Sequence, residues 1–359
     1  MAIEIHSKFK LNGISFDKEE LKEVGYSLVK EGDPNEKAIG DFLLDWCNVG
    51  QNIEVQTSGS TGKPKLVGLK KKHMANSAWA TGEYFKLKAG DSALLCIPAY
   101  FIAGKMMLVR AMVLGLQLDY VEPSSSPMDF VSKTYDFCAM VPLQLQNSLA
   151  KLDSIKTLIV GGAPISKQQI EKLQNISTDI YETYGMTETI THVAVKKINS
   201  NVINSSEAEM HFRALPDVVF KTDDRDCLIV DAPNILDAQI ITNDIVHLKS
   251  ETEFEWLGRF DNIINSGGVK LIPESIEAKL APIIENRFFV SGAPDKILGQ
   301  KLILLIEGKV DKATLFDSIK DTRMLQKFEI PKDILNVPEF VETTSGKINR
   351  LETLKSLSN

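Results

Sequence analysis

The sequence predicts an α/β protein with two domains. Residues 1–258 are expected to form a large domain with a mainly parallel, helix-covered sheet and a barrel-like antiparallel portion, and residues 259–359 a small α+β domain. Between about residues 53 and 173, short apolar runs alternate with segments of helical spacing, which favours a parallel sheet covered by helices. Beyond residue 190, strand-like runs follow one another with few helices between them. From about residue 262, helices and strands mix again in a shorter unit.

The first part of the chain supplies the elements of the parallel sheet. Strand-like runs occupy Ile53 to Gln56, Ser92 to Ile97, Phe137 to Val141 and Thr157 to Val160. Helical spacing occupies His73 to Leu87, Lys105 to Leu116, Leu143 to Leu152, and the segment from the candidate N-cap Ser166 to about Leu173. Ligands of such sheets bind at loops beyond the carboxyl ends of strands, so the glycine-rich loops after the first and last of these strands are candidate binding loops.

The antiparallel portion and the small domain follow in order. The antiparallel strands are predicted at Val218 to Lys221, Leu228 to Asp231, Gln239 to Thr242, Ile245 to Leu248 and Phe254 to Leu257. The small domain is predicted to contain helices near Glu274 to Leu280 and Ala313 to Asp321, with strands at Phe288 to Ser291 and Leu302 to Ile306. We expect the domain boundary near Arg259-Phe260-Asp261.

Composition excludes several classes of protein. The 359 residues carry 41 basic and 48 acidic side chains, a net charge of -7, which argues against a general nucleic-acid binder. The four cysteines show no Cys-x-x-Cys spacing, so no zinc site is expected. A disulfide framework is not expected in a chain of this length. No signal peptide and no run of 18 apolar residues is visible, which predicts a soluble cytoplasmic protein with no membrane span. A homodimer could cover apolar surface left by a short N-terminal region.

The loop from Thr57 to Lys65 has the composition of a phosphate-binding loop. Gly59 and Gly62 permit tight turns that bring amide N–H groups close to an anion. Hydroxyl and ammonium donors come from Ser58, Ser60, Thr61, Lys63 and Lys65. Only two residues separate the glycines and Pro64 follows the lysine, so this is not a Walker A loop. The alternative is an ordinary solvated turn.

Other segments contain groups suited to nucleotide chemistry. In the segment Tyr184 to Thr189, the Tyr184 ring could lie on a purine, Thr187 could bind a phosphate and Glu188 could hold Mg²⁺. The alternative for this segment is a turn with a helix N-cap at Thr187. Asp244 could accept both ribose hydroxyls, or be a plain turn residue. Arg259 could reach a ribose or a phosphate, or form a surface salt bridge. Lys347, on a glycine-hinged loop, could stabilise charge developing at an α-phosphate, or be a solvated lysine.

Five segments together resemble the acyl-adenylate-forming superfamily of acyl-CoA synthetases, luciferases and peptide-synthetase adenylation domains. They are TSGSTGKPK at 57–65, GGAP at 161–164, YGMTET at 184–189, TND at 242–244 with GRFDNIINSGGVK at 258–270, and TSGKINR at 344–350. The resemblance covers about residues 50 to 350. It implies an enzyme that uses ATP and Mg²⁺, with coenzyme A as co-substrate.

The resemblance also implies residue roles. The ATP- and AMP-binding residues would be Thr57, Ser58, Gly59, Ser60, Thr61, Gly62, Lys65, Gly161, Gly162, Ala163, Tyr184, Gly185, Thr187, Asp244 and Arg259. The catalytic residues would be Thr187, Glu188 (with Mg²⁺) and Lys347. Asp261 matches the family hinge of a mobile small domain, and the loop with Gly267, Gly268 and Lys270 would serve thioester formation.

The acyl substrate is predicted from narrower features. Only 56 residues precede the phosphate loop, so much of the family's first subdomain is expected to be missing, and the stretch GMTETITHVA resembles the compact o-succinylbenzoate–CoA ligases of menaquinone biosynthesis. The acyl pocket would contain Tyr100, Phe101, Lys105 and His192. Lys105 could pair with a second substrate carboxylate; Arg110 is a second candidate, though its helical spacing equally allows a surface position. Other acyl- or aryl-CoA ligases, carrier-loading enzymes and a non-catalytic truncated nucleotide-binding protein remain alternatives.

Overall fold

The computed structural model describes residues 3–57, 65–199, 211–342 and 348–357. The chain forms two compact units. Unit 1 contains Met1–Phe220, Val230–Ile240 and Lys249–Phe254, and unit 2 contains Lys221–Ile229, Ile241–Leu248 and Glu255–Asn359. Three stretches that precede residue 259 therefore cluster with unit 2, namely 221–229, 241–248 and 255–258. The predicted division at residue 259 stays a prediction.

The elements up to residue 214 belong to unit 1. The strands are β1 Lys10–Leu11, β2 Ile14–Ser15, β3 Asn52–Thr57, β4 Lys65–Lys70, β5 Ser92–Leu95, β6 Gln117–Tyr120, β7 Tyr135–Met140, β8 Ile155–Val160, β9 Asp179–Gly185, β10 His192–Lys197 and β11 Phe212–Ala214. The helices are α1 Lys18–Glu31, α2 Pro34–Cys47, α3 Lys71–Phe85, α4 Ile102–Leu114, α5 Pro142–Asn147 and α6 Lys167–Leu173, with Ser166 as the N-cap of α6.

The predicted parallel sheet is confirmed, except for its first strand. The run predicted at Ile53 to Gln56 forms β3, which pairs antiparallel with β4 in a separate two-stranded sheet. Strands β9, β8, β7, β5, β6 and β1 are neighbours in that order, and each adjacent pair runs parallel. β10 then pairs antiparallel with β9, and β11 antiparallel with β10. Because β8 and β9 run parallel, the segments that follow Val160 and Gly185 leave the sheet at the same edge. This edge brings two of the five diagnostic segments together.

Two predictions about helices need correction. The helix expected from Leu143 to Leu152 is divided into α5 and a 3-10 helix, Leu149–Ser154. The sequence reasoning also proposed no element before residue 53, where α1 and α2 form a helical hairpin. Their signals were readable, since Asp17 with Glu20 and Asp33 with Glu36 form capping boxes at the two helix starts.

The predicted antiparallel strands are present, with one change. They are β12 Val219–Thr222, β13 Cys227–Asp231, β14 Ile240–Ser250 and β15 Glu253–Arg259, neighbours in that order. The runs predicted as two strands at 239–242 and 245–248 form the single strand β14. Asp244 therefore lies inside a strand and not in a turn.

The C-terminal elements of unit 2 form a second sheet. Its strands are β16 Ile264–Ser266, β17 Val269–Leu271, β18 Phe288–Asp295, β19 Gly299–Glu307 and β20 Asp333–Val337, in the order β17-β16-β19-β18 with β20 also paired to β19. The helices are α7 Pro273–Leu280, α8 Lys312–Asp321 and α9 Arg350–Ser356. None of the helices in the described ranges is long and apolar enough to cross a membrane.

Candidate active site

The predicted phosphate loop connects two paired strands. Thr57 ends β3 and Lys65 begins β4, and the two residues are opposite each other in the antiparallel pair. Ser58, Gly59, Ser60, Thr61 and Gly62 lie outside the described residues, as does Lys347. Their proposed roles stay predictions.

The Gly161-Gly162-Ala163 segment leaves β8 close to the neighbouring strand. A Cβ atom at Gly161 would lie 2.4 Å from the Thr183 hydroxyl oxygen, and Gly162 has a φ of +88°. At Gly161 a side chain would clash with Thr183, and at Gly162 any other residue would be strained by the left-handed backbone. The two glycines thus keep backbone at the sheet edge, where a flat ligand could approach.

The ring of Tyr184 packs in an aromatic cluster. It lies 5.8 Å from the Phe212 ring and 5.1 Å from the Phe254 ring, in an edge-on arrangement with Phe254. The next residue, Gly185, is required by the turn, since a Cβ atom there would lie 2.2 Å from the Thr191 carbonyl oxygen. The ring is therefore held in one orientation; purine stacking on it stays a prediction.

The turn with Thr187 and Glu188 is held by strained backbone. Thr187–Thr189 is a 3-10 turn whose N-cap is Met186, so the alternative with Thr187 as N-cap is wrong. The buried Thr189 hydroxyl accepts from the Met186 N–H at 2.9 Å and donates to the Thr191 carbonyl at 2.7 Å. Ile190 has a φ of +67°, unusual for a β-branched residue. Such strain concentrates at functional sites, and sequence reasoning missed both Thr189 and Ile190.

Glu188 is the candidate magnesium ligand. Its side chain is exposed and has no hydrogen bond or ion pair with any other described residue. A carboxylate suits Mg²⁺, which keeps several waters and binds one or two protein carboxylates together with phosphate oxygens. Across the described ranges no group of three His, Cys, Asp or Glu side chains could hold a metal by itself. The donor set fits a magnesium ion that arrives with ATP.

Asp244, Trp256 and Arg259 form a cluster in unit 2. The Asp244 side chain is buried, with 5% of the residue exposed. Its Oδ1 atom accepts from the Trp256 indole N–H at 3.2 Å and lies 3.4 Å from the Arg259 guanidinium, whose side chain is 43% exposed. Arg259 thus has an acidic partner within the protein. Trp256 is a residue that sequence reasoning missed, because only folding brings it beside Asp244.

The segment predicted as a hinge has several polar contacts. Asp261 lies in the 3-10 turn Phe260–Asn262 and accepts from the Asn243 amide at 3.1 Å. Arg225 donates to Asn243 Oδ1 at 3.1 Å and lies over the Phe260 ring, 4.9 Å from its centroid. These contacts fix the local conformation around Asp261, and the hinge role stays a prediction.

The predicted thioester-step loop is a tight hairpin turn. Gly267 and Gly268 connect β16 to β17, with Ser266 opposite Val269, and their φ angles are +58° and +84°. Two consecutive left-handed residues are typical of a type I′ turn, which glycine favours. Lys270 follows on an exposed position. The participation of this loop in thioester formation stays a prediction.

The aromatic and cationic acyl-pocket candidates lie on and before α4. Tyr100 and Phe101 are exposed and pack edge to face, and the Tyr100 hydroxyl donates to Gln56 Oε1 at 3.0 Å. Lys105 Nζ lies over the Phe42 ring of α2, 5.2 Å from its centroid. Burial lowers the pKa of Lys105. Lys105 therefore packs against α2, and its pairing with a substrate carboxylate stays a prediction.

Arg110 is fully buried, so the alternative that placed it on the surface is wrong. Only 1% of the residue is exposed. Its guanidinium donates to the Thr81 hydroxyl at 3.3 Å and to the Thr191 hydroxyl at 3.2 Å, and it lies 3.4 Å from His192 Nδ1. No carboxylate among the described residues forms an ion pair with it. Burial lowers the pKa of Arg110 to about 9, so the group still carries its positive charge at neutral pH.

His192 is a neutral buried side chain beside this charge. Burial, and then the charge of Arg110, hold the pKa of His192 well below its ordinary value. Arginine can only donate, so Nδ1 is the acceptor and the proton of the neutral ring is on Nε2. Nε2 is buried and has no partner among the described residues.

Comparison with known proteins identifies the family. The family described as AMP-binding enzyme matches residues 56–231. The 2-succinylbenzoate–CoA ligase of Enterococcus faecalis is 25% identical over 325 residues, 81% of this chain and 67% of that protein. The ligase of the same name from Listeria monocytogenes serotype 4b is 27% identical over 357 residues, 91% of this chain and 74% of that protein.

Two solved structures have the same fold. An acyl-CoA synthetase (AMP-forming)/AMP-acid ligase II-like protein from Dyadobacter fermentans is 33% identical with a TM-score of 0.62, over 94% of this chain and 98% of that one. The O-succinylbenzoate coenzyme A synthetase of Bacillus subtilis, in complex with ATP and magnesium ion, is 22% identical with a TM-score of 0.71, over 84% of this chain and 69% of that one. The chain belongs to the AMP-binding enzyme family.

Proposed function

We propose that this chain is an ATP-dependent ligase that joins o-succinylbenzoate to coenzyme A through an acyl-AMP intermediate. In the first step, an oxygen of the acid's carboxylate attacks the α-phosphorus of ATP, and the bond to the bridging oxygen of the β-phosphate breaks to release pyrophosphate. In the second step, the sulfur of coenzyme A attacks the acyl carbon. AMP leaves with the carboxylate oxygen, and the thiol proton passes to solvent. Family membership supports the adenylation, and the names of the relatives support the acid.

The buried charge of Arg110 is the observation that carries the choice of acid. Taking a guanidinium out of water is costly unless an opposite charge compensates it. Arg110 has hydroxyl partners but no acidic partner among the described residues. The acid proposed here has two carboxylates, so one can react at the α-phosphate while the other pairs with Arg110. An acid with a single carboxylate would leave this charge without a counter-ion.

The nucleotide is proposed to be held by residues of the five diagnostic segments. The loop from Thr57 to Lys65 would bind the terminal phosphates, Tyr184 the adenine, and Asp244 with Arg259 the ribose. Glu188 would hold a magnesium ion that neutralises phosphate charge, and Lys347 would stabilise the charge that develops during adenylation. The protein thus contributes positioning and charge stabilisation, with no covalent intermediate on a side chain.

The decisive experiment is ATP–pyrophosphate exchange with a panel of acids, followed by thioester formation. We expect exchange with o-succinylbenzoate to exceed exchange with benzoate and with 4-phenylbutyrate, which lack a second carboxylate. We also expect o-succinylbenzoyl-CoA on addition of coenzyme A. Exchange without thioester formation, restored by a carrier domain, would indicate a carrier-loading enzyme. Binding of ATP without exchange for any acid would indicate a non-catalytic nucleotide-binding protein.

A further inference from the structure

Arg350 ends the fifth diagnostic segment, TSGKINR, which also contains Lys347. It begins α9 in unit 2, and its side chain is 27% exposed. The guanidinium donates to Glu277 Oε2 at 2.8 Å and to the Val290 carbonyl at 3.4 Å. It also lies over the Phe289 ring, 5.4 Å from its centroid. These contacts fasten the start of α9 to α7 and to β18.

Glu277 completes this contact at the edge of a sheet. Its side chain is 17% exposed, and its Oε1 atom accepts from the Val290 N–H at 2.9 Å. Because β18 lies at one end of the strand order, the two side chains bind both backbone groups of Val290 at the sheet edge. Burial raises the pKa of Glu277, and the charge of Arg350 opposes that shift. Removing Arg350 would leave a buried carboxylate without its cation.

The segment that carries the proposed catalytic lysine is held at both of its ends. Residues 343–347 lie outside the described residues, but Glu342 and Ile348 on either side of them form an antiparallel bridge. The Asn349 N–H donates to the Val341 carbonyl at 2.7 Å. The position of the lysine therefore depends on where the start of α9 is held.

A second carboxylate links Arg350 to the turn predicted as the hinge. Glu274 Oε1 lies 3.7 Å from the Arg350 guanidinium and accepts from the Asn262 amide at 2.5 Å. A Cβ atom at Gly258 would lie 2.5 Å from the other oxygen of Glu274, so this carboxylate lies directly against the chain that enters the turn. Arg350 therefore connects the lysine segment with the turn Phe260–Asn262.

We propose that Arg350 is a positioning residue for adenylation. Through Glu277 and the edge of β18 it holds the start of α9, and with it the lysine segment, where Lys347 meets the α-phosphate. This inference rests on the proposed function and extends it to a residue that acts through another. A cation stabilises developing charge best when it is held in place before the reaction, and a displacement of about 1 Å can lower a rate roughly 100-fold. Lys347 is proposed to act in adenylation, so thioester formation should be nearly independent of Arg350.

The test separates the two half-reactions of the full chain. Adenylation is measured by ATP–pyrophosphate exchange with o-succinylbenzoate, and thioester formation by adding coenzyme A to supplied o-succinylbenzoyl-AMP. For Arg350→Met we expect a roughly 10- to 100-fold lower kcat of exchange, a nearly unchanged KM for ATP, and thioester formation within about threefold of the wild type.

The outcomes distinguish this inference from the proposed function. A protein that is merely destabilised would lose both half-reactions in proportion, so equal losses in Arg350→Met would overturn the positioning role, as would exchange at the wild-type rate. In both cases an active wild type leaves the proposed function standing. Absence of exchange in the wild type itself would overturn both.

Further variants show whether Arg350 acts through the lysine. In a Lys347→Ala background, Arg350→Met should lower the residual exchange less than about twofold, whereas independent effects would multiply and overturn the assignment. Lys279→Met is the matched control, because it breaks an ion pair of the same helix, 2.6 Å from Glu329. It should keep both half-reactions, and the same split there would also overturn the assignment.

A conservative variant covers the case in which Arg350→Met does not fold, as judged by circular dichroism. Arg350→Lys keeps the charge but cannot contact Glu277 and the Val290 carbonyl with a planar fork. Exchange should fall roughly 2- to 12-fold, with thioester formation unchanged. Equal effects on the two half-reactions in this variant would overturn the proposal.

Discussion

Two arginines in this protein have opposite surroundings. Arg259 is 43% exposed and lies 3.4 Å from the buried carboxylate of Asp244. Arg110 is fully buried and contacts hydroxyl groups and a neutral histidine. The first charge is balanced within the protein, so that cluster suits a neutral ligand such as a ribose. The second charge is balanced by none of the described residues, so it suits an anion.

The two arginines should contribute to ligand affinity in different ways. At Asp244 the ligand would add hydrogen bonds to an existing ion pair, and the gain per bond is modest. At Arg110 the ligand would supply the missing counter-ion in a desolvated position, where loss of one partner is far more costly. Variants at the two sites should therefore differ in size of effect and in the substrate that is affected.

The largest effect is expected for Arg110→Met. The value of kcat/KM for o-succinylbenzoate should fall roughly 100- to 1,000-fold, because the second carboxylate would then be buried without a partner. The KM for ATP should change little, and activity with 4-phenylbutyrate should not fall. Lys105→Met, which removes the cation that packs on Phe42, is the matched control and should keep most of the activity. Equal losses in the two variants would show that Arg110 is not the anion site.

A smaller effect is expected for Asp244→Asn. The value of kcat/KM for ATP should fall roughly 10- to 150-fold, as expected when hydrogen bonds to a charged group are lost. The KM for the acid should stay near its wild-type value. Asp224→Asn, in an exposed loop of the same unit, serves as the control. A larger loss of kcat/KM for the acid than for ATP would show that Asp244 does not serve the nucleotide.

The neutral state of His192 predicts a dependence of stability on pH. The folded-state pKa lies well below the ordinary 6.5, so the unfolded chain binds more protons than the folded chain as the pH falls below 6.5. The free energy of unfolding should therefore drop by about 1.4 kcal/mol from this residue between pH 7.5 and 5.5. Urea unfolding of wild type and His192→Gln at both values measures it. An identical pH dependence in the variant would mean that folding does not lower the pKa of His192.

The smallest effect is expected for Trp256→Phe. This change removes the indole N–H that donates to Asp244 and keeps most of the ring. Loss of one hydrogen bond should raise the KM for ATP roughly 2- to 12-fold and leave kcat nearly unchanged. Trp46→Phe, a change at a tryptophan in α2, is the control for losing an indole elsewhere. An unchanged KM for ATP would show that the indole N–H of Trp256 does not contribute to ATP binding.

Much of the fold was predictable because its signals are local. Alternating apolar and helical runs predicted β5, β7, β8, α3 and α4 within a few residues, and Ser166 marked the start of α6. The prediction of strands was wrong where the local pattern fits either one long strand or two short ones. Two short apolar runs separated by a polar pair were interpreted as two strands, whereas β14 passes through them because its neighbours on both sides supply the hydrogen bonds.

The family could be recognised from local motifs alone. The presence of Gly161, Gly162 and Gly185 and the order of the five segments are properties of the sequence that need no coordinates. The burial of Arg110, the tautomer of His192 and the contact of Trp256 with Asp244 became visible only in the fold. These properties depend on which side chains surround a group, and residues far apart in sequence supply them. Thr81 and Thr191 reach Arg110 from α3 and from the turn before β10, a meeting that no local pattern encodes.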